Sequence, residues 1–422
     1  MADDSFPTPG PFPGKPTVRT SCGEVLRDGS VLDLVADGDR LMLCHWDGSE
    51  FLIVPYFESD GVVYRPPTVQ PSLYRAMRFP ASALEYGSRP ALFEDTSKIF
   101  KQWGASQDDA YFWSFIALSS WVPELFPTLL TLVVSGSDID QVAILFKVFS
   151  CVCRRGLMVP ELSRCLPFDL RPTLLILSAE LSAKQSAFWR ASNIPGVQVP
   201  TRAGAVESLG GTRVLFTDNE NFGLAWGSGV CRFRLLPYPR LSSISEQEMT
   251  QIAAEYQPKF LRFRLEYLRQ INAGPPQQKD QSLNYGAAGN LLSGLREEPE
   301  IVASMIPILD AQQAEMRECE QRDPYRVILE SIWSPSHEAK KISITELTKR
   351  VNDILRSRGE TSELDSRVVG WKLRNLCLPR ERTGDGMHLR FLQEVRHQVH
   401  QLASKFQLNL RRFEDCTDCT KG

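Results

Sequence analysis

Between Thr128 and Leu236 the chain alternates short apolar runs with helical stretches, and few folds can bury such runs. Thr128–Val134, Gly156–Val159, Pro172–Leu177, Val197–Val199, Arg213–Thr217 and Val230–Leu236 read as strands. Asp140–Cys153 and Ser182–Ala191 read as the helices between them. A strand with no polar face must be covered on both sides, and a helical crossover joins parallel neighbours. The predicted core is therefore a mostly parallel sheet with helices on both faces.

The 422 residues leave room for further domains around that core. Residues 1–17 are punctuated by Pro and Gly and are expected to be a disordered leader. Residues 18–90 carry short apolar runs, Val31–Val35, Leu41–Trp46 and Phe51–Val54. Asp37-Gly38, Asp47-Gly48 and Asp60-Gly61 divide or follow them, and Asp-Gly is a hairpin signal. This predicts a small antiparallel β domain. Ala91–Trp103 and Gln107–Trp121 read as helices, and the α/β core spans 91–272. Residues 273–322 are expected to be a linker, rich in Gly, Pro and Gln, followed by a helical segment. Tyr111–Val134 has the length of a membrane span, but Pro123, Glu124 and Pro127 interrupt it, so no membrane contact is expected. No apolar signal sequence opens the chain, and its ten cysteines are too sparse for a disulfide scaffold. Together these point to a reducing, bacterial-type cytoplasm.

The turn after the first core strand, Ser135-Gly136-Ser137-Asp138-Ile139-Asp140, stands where a phosphate-binding P-loop sits between strand and helix. Such a loop needs Gly, four residues, then Gly-Lys-Ser/Thr. Counted from Gly136, those last positions hold Gln141, Val142 and Ala143. The phosphate-binding lysine and the magnesium-binding hydroxyl are both missing, and Asp138 and Asp140 add repulsive charge. The strand Leu174–Leu177 should end in a metal-holding Asp and a catalytic Glu. It ends in Ser178-Ala179, with Glu180 as the nearest acid. Gly136, Asp138 and Gln141 thus mark a vestigial nucleotide loop, and neither a catalytic residue nor a cofactor is assigned. An ATPase with an atypical or partner-completed site is the alternative.

Several strings carry a resemblance: Val133-Val134-Ser135-Gly136, Leu145 to Cys153-Arg154-Arg155-Gly156, Glu161-Leu162-Ser163, Arg171-Pro172-Thr173-Leu174-Leu175 and Phe188-Trp189-Arg190-Ala191-Ser192-Asn193. Arg358-Gly359-Glu360 and Val369-Gly370-Trp371-Lys372-Leu373-Arg374 belong with them. They resemble a group of uncharacterised bacterial proteins that is in turn similar to helicase-like and primase-like P-loop ATPases of mobile elements. The resemblance spans roughly Ala91 to Cys419. It implies a P-loop NTPase-like (AAA+/RecA-like) core descended from a DNA-handling ATPase. Asn193 and Arg202 could echo sensor residues of such sites, but without the lysine they receive no role.

Residues 323–410 read as helix, helix, helix, hairpin and a final helix, the order of a winged helix-turn-helix. Ser343 or Thr345 is expected to cap the second helix, with Gly359 at its end, and Ser366 to cap the third, Arg367–Leu376. Residues 366–412 hold ten cationic side chains against three acids, a net of +7. Residues 413–422 carry −2, leaving −8 on residues 1–365 within a total of −3. Clustered Lys and Arg attract duplex DNA through counterion release. Arg367, Gly370 and Arg374 recur on one helical face, with Lys372 on the same helix, while Val368, Trp371 and Leu376 are expected to face the core. Arg380, Arg382 and Arg390 flank the hairpin, where a wing meets backbone or minor groove. A solvated cationic face, or a module that docks protein, has the same composition. The function expected is double-stranded DNA binding by a non-catalytic relative of those ATPases. The alternatives are the atypical ATPase or an assembly module that joins a protein partner or a second copy through the α/β core.

The cysteines add two smaller signals. Arg154 and Arg155 beside Cys151 and Cys153 could lower a thiol pKa, but a packed helix end is the preferred account of this string. Cys416-Thr417-Asp418-Cys419 is a CxxC in what is expected to be a flexible tail, 411–422. No second CxxC exists, so no metal is assigned. A Cys2His2 set with His397 and His400 would require the tail to fold back.

Overall fold

A computed structural model describes residues 17–126, 130–136, 138–161, 170–178, 188, 191, 197–201, 204–207, 211–218, 230–235, 243–273, 292, 295, 298–384, 386–406, 408, 410–414 and 416–420. Residues 1–16 of the expected leader, all but two residues of the helix Ser182–Ala191, most of the linker that opens 273–322, and Asn193 and Arg202 lie outside the described residues. The chain divides into two compact units at Gln312.

The first unit begins with seven strands. β1 (Thr17–Thr20) is followed by β2 (Glu24–Val25), β3 (Val31–Asp37), β4 (Arg40–Trp46), β5 (Phe51–Val54), β6 (Phe57–Ser59) and β7 (Val62–Arg65). The Asp-Gly turns fall where expected, with Gly38, Gly48 and Gly61 at positive φ of 60, 105 and 71°. The expectation of a wholly antiparallel domain is corrected, because β1 pairs parallel with β7 in a separate β1-β7-β6 sheet. Residues 18–90 have a small core of their own, Leu26, Leu32, Leu34, Leu41, Leu43 and Tyr64, and also contribute to a larger one. Val31, Val35, Cys44 and Trp46 share one buried cluster with the helices and strands of the α/β region. The apolar runs of β3 and β4 have two covered faces, so the hydrophobic effect draws them into the larger core.

Helix α1 (Pro71–Ala76) leads to α2 (Arg89–Gln102) and α3 (Gln107–Trp121). Phe112, Trp113, Phe115, Ile116, Leu118 and Trp121 of α3 are all buried, as a helix apolar on every side must be. The parallel sheet follows: β8 (Thr131–Ser135), β9 (Gly156–Val159), β10 (Thr173–Ile176), β13 (Arg213–Thr217) and β14 (Val230–Arg234), with α4 (Ile139–Val152) after β8. Between β10 and β13 lies a hairpin of β11 (Gln198–Thr201) and β12 (Gly204–Glu207), so Val197–Val199 does not join the main sheet. All four neighbouring pairs of the five-stranded sheet are parallel, in the order β14-β8-β13-β10-β9. β8 is thus the strand on either side of which the chain's later strands are laid.

Helix α5 (Glu246–Ala273) runs through Pro258 as one element. It packs Phe260, Leu261, Phe263, Tyr267 and Leu268 into the same core. Its Arg264 completes a buried charge cluster. Arg264 and Arg155 both pair with Asp33 of β3, and Arg154 reaches the same carboxylate at 3.1 Å. Arg264 also binds Glu124 through both carboxylate oxygens, at 2.7 Å each. Arg154 donates to the Cys22 carbonyl at 3.0 Å and Arg155 to the Leu170 carbonyl at 2.6 Å. One carboxylate thereby ties β3, the turn after α4 and helix α5 together. Burial pushes the Asp33 carboxyl up, but the three guanidiniums overturn that and hold it well below the usual carboxylate range.

The arginines after α4 do not activate the neighbouring thiols. Burial pushes Cys151 up to about 11 and Cys153 higher still. This is the packed helix end, and the reactive-thiol reading is set aside.

Helix α6 (Pro299–Gln321) crosses the boundary into the second unit. That unit continues with α7 (Pro324–Glu338), β15 (Lys341–Ser343), α8 (Ile344–Ser357), α9 (Ser366–Asn375), β16 (Arg380–Thr383), β17 (Gly386–Arg390), α10 (Gln393–Lys405) and α11 (Thr417–Thr420). β15, too short to recognise from sequence, forms an antiparallel sheet of order β15-β17-β16 with the hairpin. The unit has its own core of Val327, Ile332, Leu347, Val351, Val369, Leu373, Leu389 and Val399. The tail is no loose end, since Trp333 Nε1 donates to the Arg411 carbonyl at 2.8 Å and Phe413 stacks on His337 at 4.2 Å.

Candidate nucleic-acid interface

The candidate interface is built on α9 and the β16–β17 hairpin. Ser343 caps α8 by accepting from the Glu346 N–H at 3.1 Å, and Gly359 follows the helix end at φ 86°. α9 is capped by Asp365, not Ser366 as expected. The Asp365 carboxylate accepts from the Arg367 and Val368 N–H groups, at 2.7 and 2.9 Å. Those hydrogen bonds hold the Asp365 carboxyl below its ordinary value.

The buried face of α9 is Val369, Gly370 and Leu373, with Leu376 just beyond its end. This corrects the expectation for Val368 and Trp371, which are 37% and 55% exposed. It corrects Gly370 as well, which faces inward. A Cβ there would meet the Arg380 guanidinium, the flexible end of the first residue of β16. Helix and hairpin therefore lie side by side.

The outward face of α9 carries Arg367, Trp371 and Arg374 at i, i+4 and i+7, all exposed. Arg382 on β16 is exposed too, and Met387 on β17 is 39% exposed. The other predicted cations are engaged elsewhere. Lys372 is half-buried with its ammonium 4.3 Å from the Tyr325 ring centre. Burial lowers its pKa, against a smaller opposing pull from Asp323. Arg380 is half-buried against α9. Arg390 pairs with Glu381 across the hairpin at 3.1 Å. The hairpin tip's Asp385 lies outside the described residues. The six cations read from the sequence thus resolve into a forward set, Arg367, Arg374 and Arg382, and a supporting set. The exposed Trp371 was missed because its i, i+3 spacing from Val368 resembles a core stripe.

The Gly136 turn lies at the carboxyl end of β8, with later strands on both sides. In open α/β sheets this switch point is where ligands bind. Here two N–H groups of the helix entrance are taken by a side chain of the chain itself. The Asp138 carboxylate accepts from the Asp140 and Gln141 N–H groups, at 2.9 and 3.2 Å. These are the donors a phosphate would need. Gly136 has no steric reason to be glycine, because an added Cβ would meet Phe216 and Leu235 at ordinary contact distances of 3.6 and 3.7 Å. β10 ends at Ile176, with Leu177 and Ser178 following and no acid at its tip. Ala179 and Glu180 lie outside the described residues. Asp138→Ala is expected to destabilise the first unit by about 1 kcal/mol through loss of the cap. Magnesium-ATP should leave the melting temperature of either form unchanged. A nucleotide-dependent rise in melting temperature would contradict the closed-loop reading.

Cys416 and Cys419 lie beside His337 and His400. His397, the other histidine considered from sequence, instead approaches Asp418 at 3.4 Å. His337 escaped notice because it lies 63 residues before its partner His400, at the far end of another helix.

No family model matches the chain, and no curated protein or solved structure does. No described helix is long and apolar enough to cross a membrane.

Proposed function

We propose that the protein binds double-stranded DNA through the α9 face and hairpin of a winged-helix C-terminal unit. Its α/β core, in this reading, is a P-loop-type scaffold without nucleotide chemistry. The observation that carries the proposal is the joint exposure of Arg367, Trp371 and Arg374 on one face of α9, beside a hairpin bearing exposed Arg382. A helix of this kind enters the major groove while a wing contacts backbone or minor groove. The two arginines supply charge to phosphates or a forked donor to guanine, and the indole supplies apolar contact with sugars and base edges. The strand order around β8 supports descent of the core from a nucleotide-binding sheet. The Asp138 cap and the acid-free tip of β10 support loss of its chemistry.

One observation favours a second reading. Val368 and Trp371, both exposed, could dock a protein through apolar contact. Gel shift of random duplex DNA separates the two. DNA binding predicts a complex at low salt that weakens steeply as salt rises. No complex, or one indifferent to salt, would favour the protein-docking reading.

A further inference from the structure

The chain's only CxxC is held against two histidines from separate helices. His337 comes from the last turn of α7 and His400 from α10, while Cys416 precedes α11 and Cys419 lies within it. Their four ligand atoms all lie within 4.8 Å of one another. The individual separations are informative. His337 Nε2 is 3.1 Å from His400 Nε2, Cys416 Sγ is 3.4 Å from His400 Nε2, and Cys419 Sγ is 3.5 Å from His337 Nε2.

Tetrahedral zinc with Zn–N of about 2.05 Å and Zn–S of about 2.3 Å needs N···N edges of about 3.3 Å and N···S edges of about 3.5 Å. The N···N edge and the two N···S edges given above match these to within a few tenths of an ångström, and no remaining edge exceeds 4.8 Å. A pair of neutral imidazoles and a pair of thiols could also meet by chance through hydrogen bonds. Tautomer and surroundings argue against that account. His337 Nδ1 lies 2.8 Å from the Trp333 carbonyl, which can only accept, so the ring proton sits on Nδ1 and the Nε2 lone pair points into the cluster. A backbone carbonyl on the far nitrogen is the usual support of a metal-ligating histidine. The surrounding shell is aromatic. Phe413 stacks on His337, and the Trp333 ring centre lies 4.9 Å from that of His337 and 4.6 Å from that of His400.

We propose that His337, His400, Cys416 and Cys419 form a structural zinc site that fastens the chain's tail onto α7 and α10. Two thiolates and two imidazoles at tetrahedral spacing select zinc over hard, oxygen-seeking cations. Four protein ligands leave no open position, so the site is structural and not catalytic. Binding converts two thiols to thiolates, and both protons leave to solvent. The site is independent of the DNA-binding proposal.

The test is zinc content of the full-length protein, purified without chelator and supplemented with zinc before desalting. One zinc per chain is expected, released when both thiols are blocked by a thiol-specific reagent. Replacing zinc with cobalt(II) should give the visible absorption of a tetrahedral ion together with a thiolate charge-transfer band. Cys416→Ser with Cys419→Ser, and separately His337→Ala, should abolish binding, whereas His397→Ala should keep one equivalent. Wild-type protein with well under 0.1 zinc per chain and no cobalt spectrum would overturn the site, as would full retention of zinc in His337→Ala. The wild-type measurements decide the matter even if a variant fails to fold.

Discussion

Asp33→Asn should destabilise the first unit by about 3–5 kcal/mol, the cost of removing one partner from a buried ion cluster. The Asp33 side chain is 2% exposed and faces Arg154, Arg155 and Arg264. Asparagine preserves its shape but leaves three guanidiniums with Glu124 as the one remaining carboxylate of the cluster. Uncompensated buried charge costs far more than the loss of a surface pair. Urea denaturation should show the loss, while Asp37→Asn, exposed at the end of the same strand, should stay within about 0.5 kcal/mol of wild type. A loss below about 1 kcal/mol for Asp33→Asn would refute the cluster's structural role. The same cluster sets an acid limit. The folded Asp33 carboxyl lies below its unfolded value, so its contribution is complete above about pH 4 and fades as pH falls. Glu124 follows the same sign. Burial raises it, but Arg264 overcomes this and holds it down at about 2.

Arg367→Glu combined with Arg374→Glu should weaken duplex DNA binding at least a hundredfold at low salt. In the proposed interface each arginine would account for about 1–3 kcal/mol, and reversal would add repulsion from phosphate. Both side chains are exposed, so the fold should survive, and an unchanged melting curve is the control. Lys372→Ala tests the division between forward and supporting cations. Its ammonium lies over Tyr325, so its removal should change affinity less than threefold. A double reversal that leaves binding intact would remove α9 as the reader.

Local pattern was legible in the sequence, and long-range partners were not. The parallel sheet was legible because continuous apolar strands alternating with helices have few ways to be buried. The second unit's helix order and hairpin were legible because caps and glycines punctuate them. What stayed hidden depended on long-range contact. β15 is three residues long and has meaning only beside β17. The parallel pairing of β1 with β7 joins segments 45 residues apart. Asp33 in an apolar strand looks like an interruption until Arg264, 231 residues later, reaches it. On α9 the composition was right and the face was wrong. Val368 and Val369 are chemically alike, and only the packed core decides which points inward.

The proposed function is tested most directly by titrating the affinity of the full-length protein for a labelled random duplex against salt concentration. Three forward arginines predict a log–log slope of about −3 or steeper, reduced by about 2 in the Arg367→Glu, Arg374→Glu variant. A flat slope, or the same slope in both proteins, would contradict DNA binding through this face.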